Sequence, residues 1–165
     1  MKARTRALLL FAAVLLGSAG CDHASKQVAL ATLGGEGPLS LAGDAVRLEL
    51  AYNAGAFLSA GADLPEGFRR FLLIGLVPLG VAALCAHFLR ARELPVALAV
   101  GLGLLAGGGL ANWADRILHD GLVTDFILLR VAGLHTGVFN LADVAVVAGV
   151  LLLALSQHRA PSGAA

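Results

Sequence analysis

Four long apolar stretches, interrupted or bordered by a few polar residues, set the pattern of this chain. Crossing about 30 Å of hydrocarbon takes about 20 mainly apolar residues, so the pattern predicts spanning helices over about 7–28, 70–89, 94–114 and 138–157. Phe71 to Leu89 and Leu94 to Ala114 carry no formal charge, whereas the first stretch contains Asp22 and Lys26 and the fourth contains Asp143. The tight connection from Leu89 to Pro95 makes the second and third spans an antiparallel pair; the connections Leu33 to Gly67 and Ile117 to Val138 are longer. In the first of these, Val46, Leu48, Leu50 and Tyr52 alternate with Arg47, Glu49 and Ala51 and run into Asn53-Ala-Gly55. Period-two alternation ending in a turn signal predicts a strand, hence a small sheet within about 34–67 lying on the membrane surface. Asp120-Gly121 is a second turn signal, and Leu122 to Arg130 after it is expected to be extended or re-entrant. The small, polar tail from Ala160 to Ala165 is expected to be disordered.

Composition agrees. Of the 165 residues, 58% are hydrophobic and 14% charged, against roughly 25% charged in an ordinary soluble domain. A water-facing surface cannot be built from this, so the chain is expected to be a single integral membrane domain over 1–165. A net charge of +1 leaves no basic stripe for nucleic acid. Cys21 and Cys85 offer no disulfide framework, and the five His lack a metal-binding spacing. Lys2, Arg4, Arg6, Arg90, Arg92 and Arg159 flank the spans, with Glu93 the one acid among them. Basic residues near span ends stay inside, which places both termini and the short loop in the cytoplasm and the long connections outside. Met1 to Cys21 also has the form of a lipoprotein signal peptide ending at its cysteine, but three further spans and Ser18 in place of the usual Leu fit that form poorly.

An ionisable side chain within a span costs roughly 2.5–3.5 kcal/mol on insertion scales and marks a candidate site. Asp22 and Lys26 are four apart and share a helix face. Asn112, Asp115 and Arg116 end the third span, and Asn140 and Asp143 repeat the i, i+3 spacing at the start of the fourth, where Asn140 could equally be a helix N-cap. Gly101, Gly103, Gly107, Gly108 and Gly109 suit close helix packing. A Ser/Lys pair of Ser25 or Ser59 with Lys26 is a lesser alternative. Asp115, Asp125 and Asp143 all lie near the outward surface of this topology. Two carboxylates held close share one proton, so one acts as base and the other as acid. The residues by themselves indicate a proton-handling or hydrolytic membrane site, with a proton-coupled transporter or a non-enzymatic binder as the rival classes.

Five segments narrow this: Asp22-His-Ala-Ser-Lys26, Asn53-Ala-Gly-Ala-Phe57, Gly107-Gly-Gly-Leu-Ala-Asn-Trp-Ala-Asp-Arg116, Val123-Thr-Asp-Phe-Ile127 and Phe139-Asn-Leu-Ala-Asp143. In this order they resemble the motifs of the lipoprotein signal peptidases (signal peptidase II), four-span aspartic proteases of the bacterial inner membrane. The resemblance implies an all-α membrane protein of four transmembrane helices with a small periplasmic β-sheet and an extracytoplasmic loop or helix. It makes Asp125 and Asp143 the catalytic pair, with Asp125 ranked above Asp115. It gives supporting or substrate-binding roles to Asp22, Lys26, Asn53, Gly55, Gly108, Asn112, Asp115, Arg116, Asn140 and Ala142. The implied reaction removes the signal peptide of a diacylglyceryl-modified prolipoprotein on the amino side of the lipidated cysteine, near the periplasmic face, with water and no cofactor or metal. Membrane lipids are the other expected partner, and the chain is expected to act as a monomer. Ala111 stands where the family has Gly before the Asn, and Gly103 and Gly107 are expected to leave room for lipid chains.

Overall fold

The computed structural model describes residues 3–35, 37–91 and 94–158. Lys2, Arg92, Glu93 and Arg159, on which the expected orientation partly rests, and the tail Ala160–Ala165 lie outside the described residues. Helix α1 spans Ala3–Leu33, α2 Glu66–Arg70, α3 Val77–Leu89, α4 Val96–Leu118 and α5 Leu141–His158, and a π-helical turn at Phe71–Leu76 joins α2 and α3 into one rod. Among the described residues three helices are long and apolar enough to cross a membrane, Ala3–Leu33, Glu66–Leu89 and Val96–Leu118; a further apolar helix, Leu141–Ser156, is shorter. Each expected span falls on a helix, but α1 and α4 run further toward the sheet than expected, and α5 starts at Leu141 rather than 138. Leu9, Leu16, Leu79, Val147 and Leu151 are exposed on the outer faces of the bundle. This is the arrangement of helices whose solvent is lipid.

Helix α4 lies between α1 and α5, and its glycines explain how closely it approaches both. A Cβ at Gly103 would stand 2.9 Å from the Phe11 carbonyl and Val14 Cβ of α1, and one at Gly107 would run into Leu15 and Ser18. On the other flank Gly101 faces Leu153, and Gly108 faces the Ala142 carbonyl of α5. Gly103 and Gly107 are therefore closed by helix contact and leave no room for lipid, contrary to expectation. Gly109 departs from the packing expectation in the opposite sense, because a Cβ there meets nothing within 4 Å.

The sheet draws on both long connections and is not confined to 34–67. Its order is β1-β2-β3-β4, all antiparallel, with β1 Leu39–Leu41, β2 Val46–Asn53, β3 Val123–Val131 and β4 Leu134–His135. The extended reading of Leu122 to Arg130 is thus realised as a strand. Pairing β2 with β3 gathers the sheet-side ends of α1, α2, α4 and α5 on one side of the bundle. Leu48 pairs with Ile127 and Ala51 with Asp125, so β2 holds one extra residue between these pairs. A bulge of one residue reverses which face each later side chain takes. Tyr52, placed by simple alternation with Val46 and Leu48, is instead 62% exposed, and Asn53 turns inward with 7% exposure.

Candidate active site

Where the sheet meets α1, α4 and α5, ten of the described polar or charged side chains are buried, among them Asp22, Lys26, Asn53, Asn112, Asp115, Arg116, Asp125, Asn140 and Asp143. Helical spacing explains the contributions of α1 and α4, since Asp22 and Lys26 share one face and Asn112, Asp115 and Arg116 another. The inward face of β3 supplies Asp125, and the bulge in β2 brings Asn53 beside it, with Asn53 Nδ2 3.0 Å from Asp125 Oδ2. The start of α5 supplies the rest. Asn140 Oδ1 accepts from the N–H of Asp143 at 2.9 Å and Asp143 Oδ2 accepts from the N–H of Asn140 at 3.3 Å. This is a reciprocal cap of the helix N-terminus.

Asn140 joins the two aspartates. Besides capping Asp143, its Nδ2 donates to Asp125 Oδ1 at 2.6 Å and to Asn112 Oδ1 at 3.1 Å. Asn112 Nδ2 donates in turn to Asp143 Oδ1 at 2.8 Å. Burial pushes the Asp125 carboxyl up to about 7; the bond from Asn53 opposes this, the charge of Asp143 adds to it, and the bond from Asn140 and the charge of Lys26 oppose it further. Asp115 points elsewhere: its Oδ2 lies 2.8 Å from Lys26 Nζ and accepts from the N–H of Thr124 at 3.2 Å. Asp22 pairs with Lys26 at 2.6 Å and accepts from the N–H of Ala142 at 2.8 Å.

Gly55 fits a turn in which no other residue would. Its N–H donates to Asn53 Oδ1 at 2.8 Å, and a Cβ would lie 2.7 Å from the backbone of Ser59 and Ala60. Its carbonyl accepts from Arg116 Nη2 at 2.6 Å, tying the turn to α4, while Arg116 Nη1 donates to the Asn112 carbonyl at 3.0 Å. Arg116 Nε is buried and has no hydrogen-bond partner among the described residues. Arg116, Asn112 and Asp143 form the polar end of an otherwise apolar groove of about 750 Å³ that runs past Gly109, Val81 and Cys85 to Leu89.

All twelve residues singled out from the sequence lie in or against this cluster. Helix α1 continues unbroken through Cys21, the lipobox-like position, and the following turn bears Asp22 and Lys26. Thr124 and Trp113 were not anticipated. Trp113 Nε1 donates to the Ile74 carbonyl at 3.0 Å, and the signal for it was Pro78, which has no N–H to offer that carbonyl.

Comparison with known proteins bears on this arrangement. The family model described as Signal peptidase (SPase) II matches residues 13–159. The chain belongs to the signal peptidase II family. Among relatives named lipoprotein signal peptidase, that of Streptomyces coelicolor is 35% identical over 96% of this chain and 74% of its own length. That of Azoarcus sp. is 36% identical over 93% and 82%, and that of Methylobacterium sp. 36% identical over 88% and 86%. Two solved bacterial membrane enzymes share the fold. One has a TM-score of 0.76 at 20% identity, covering 92% of each chain; the other has 0.74 at 24% identity, covering 90% of this chain and 92% of its own. The signal peptidase II assignment makes this chain a protease of the membrane, concerned with lipoprotein processing.

Proposed function

We propose that this signal peptidase cuts with Asp125 and Asp143 as an aspartate pair, using water, and releases the signal peptide on the amino side of a diacylglyceryl-modified cysteine. The observation that carries the reading is the Asn140 side chain, which bonds Asp125 and caps Asp143 at once. Asp143 sits in the first turn of α5, where the helix dipole favours an anion, and takes two hydrogen bonds, from Asn112 and the N–H of Asn140. Asp125, held at about 7 mainly by burial, keeps the proton. Asp143 then takes a proton from water as the oxygen attacks the scissile carbonyl carbon, and Asp125 protonates the carbonyl oxygen. The tetrahedral species collapses: the C–N bond breaks, Asp143 passes its proton to the leaving nitrogen, and a hydroxyl of the diol returns one to Asp125. Both carboxyls end as they began.

The apolar groove suits a signal helix and acyl chains, with Arg116 and Asn112 at its polar end. The site lies on the sheet side of the bundle, which the distribution of basic residues assigns to the outer face of the bacterial inner membrane, with both termini in the cytoplasm. A gel-shift assay of purified protein with a diacylglyceryl prolipoprotein tests the reading. Wild type cleaves, Asp125→Asn and Asp143→Asn do not, and Asp115→Asn cleaves more slowly. Cleavage by either dyad variant at the wild-type rate would refute it.

A further inference from the structure

Each proposed catalytic aspartate follows a residue whose backbone N–H is held by a carboxylate on a different helix. Thr124, before Asp125, donates to Asp115 of α4 at 3.2 Å, and Ala142, before Asp143, donates to Asp22 of α1 at 2.8 Å. Lys26 stands between those two carboxylates, 2.6 Å from Asp22 and 2.8 Å from Asp115. Its third contact is Asn112 Oδ1 at 3.1 Å. The Lys26 ammonium thus makes two ion pairs and one hydrogen bond inside the protein and is 2% exposed, which withdraws it from substrate. Asn112 Oδ1 receives both Lys26 and Asn140, so the Asn112 amide can only turn its Nδ2 toward Asp143.

We propose that Asp22, Lys26 and Asp115 are positioning residues, an ionic yoke that sets the separation of the Asp125 and Asp143 backbones and the orientation of the Asn112 amide. The proposal rests on the aspartate-pair reading above. Fold stability alone does not account for the arrangement, because replacing a buried ion pair by apolar side chains of similar volume is often neutral or stabilising. The three residues are 1%, 2% and 8% exposed in the order Asp22, Lys26, Asp115, and they reach both catalytic segments through backbone bonds that a loose contact would not fix.

The test is steady-state cleavage of a diacylglyceryl prolipoprotein, normalised to folded protein, by Asp22→Ala, Asp115→Ala, their double variant and the two Asn counterparts. A misplacement of about 1 Å costs on the order of 100-fold, so each alanine is expected to lower kcat by about 10–100-fold with KM within about twofold. Asn, which keeps an oxygen for the backbone N–H, recovers part of the loss. The double variant is no worse than the worse single one, since opening either end frees the pair. Multiplying losses, a raised KM with kcat intact, or alanine matching asparagine would overturn the proposal.

Where an alanine variant does not fold, Lys26→Met carries the test through the pH profile. Asp125 is bonded by neutral Asn53 of β2 and Asn140 before α5, and it feels the charges of Asp143 from α5, Lys26 from α1 and Arg116 from α4. Lys26 lowers the Asp125 carboxyl through its charge, so removing that charge moves the alkaline limb of kcat to higher pH; a prop remote from the pair would lower the folded yield and leave the limb in place. Asp125→Asn and Asp143→Asn are run alongside. If either still cleaves, the aspartate pair itself has failed; if both are dead and the yoke variants behave as wild type, only the yoke has.

Discussion

Asn140 and Asp143 cap each other across the first turn of α5, the N–H of Asp143 donating to Asn140 Oδ1 at 2.9 Å and the N–H of Asn140 donating to Asp143 Oδ2 at 3.3 Å. The same amide bonds Asp125 at 2.6 Å, so one side chain serves the helix and the site together. The two roles are separable. Asn140→Ser keeps a good cap and should change stability by no more than about 0.5 kcal/mol on that account, yet its hydroxyl cannot reach both Asp125 and Asn112. Its expected activity is at least about tenfold below wild type. Asn140→Ala loses both roles, adding about 1 kcal/mol of destabilisation. Thermal unfolding in detergent and the cleavage assay, run on the same preparations, separate the two effects.

The Asp125 carboxyl gives the enzyme a pH signature. With its folded value near 7 against an ordinary 3.8, the proton it would donate is lost as pH rises through 7, so cleavage falls there. Stability follows the same sign: between about 4 and 7 the folded state holds a proton that the unfolded chain has released, and stability declines as pH rises across that window. Asn53 opposes the shift by bonding the ionised form. Asn53→Ala should therefore move the alkaline limb to higher pH, and a kcat profile between pH 5 and 9 would show it. A limb that stays in place would remove Asp125 as its source.

Much of this site could be read from the chain, and what could not has identifiable causes. The i, i+4 and i, i+3 spacings put Asp22 with Lys26 and Asn112 with Asp115 and Arg116 on shared faces, because a helix has one period. Asn53 was placed by motif resemblance but not by periodicity. One extra residue between Leu48 and Ala51 inverts the alternation, exposing Tyr52 and turning Asn53 toward Asp125, and alternation in a single strand does not reveal where its partner skips. The choice between Asp115 and Asp125 was likewise undecidable from spacing. Lys26, 89 residues before Asp115 in sequence, lies 2.8 Å from it in space, a contact that spacing along the chain does not reveal.

Neighbouring glycines of α4 should respond differently to the same change. A Cβ at Gly108 would drive into the Ala142 carbonyl, next to Asp143, whereas one at Gly109 faces the open groove. Gly108→Ala is expected to destabilise by about 1–3 kcal/mol and to lose most activity as α5 is pushed outward. Gly109→Ala should unfold at the wild-type temperature, and Gly109→Leu should fold but raise KM by filling the groove. Unfolding curves and KM values for the three variants check this, and equal tolerance at Gly108 and Gly109 would contradict the packing described.

The rod from Glu66 to Leu89 is tied to α4 by a bond whose origin can be tested. In an α-helix the Ile74 carbonyl would accept from residue 78, but residue 78 is proline and has no N–H. Trp113 Nε1 from α4 donates to Ile74 instead, at 3.0 Å, within the π-helical turn Phe71–Leu76 that leads into α3. Trp113→Phe should cost about 1–2 kcal/mol, since it removes a donor and leaves a carbonyl unpaired. Pro78→Ala supplies the missing N–H from within the helix, so in that background the loss at Trp113 should shrink to the packing difference between the two rings. The double-mutant cycle is expected to show a coupling of about 0.5–1 kcal/mol, measured by unfolding in detergent. Strictly additive losses would mean that the indole stabilises this contact by its area alone, and that the proline has no part in recruiting it.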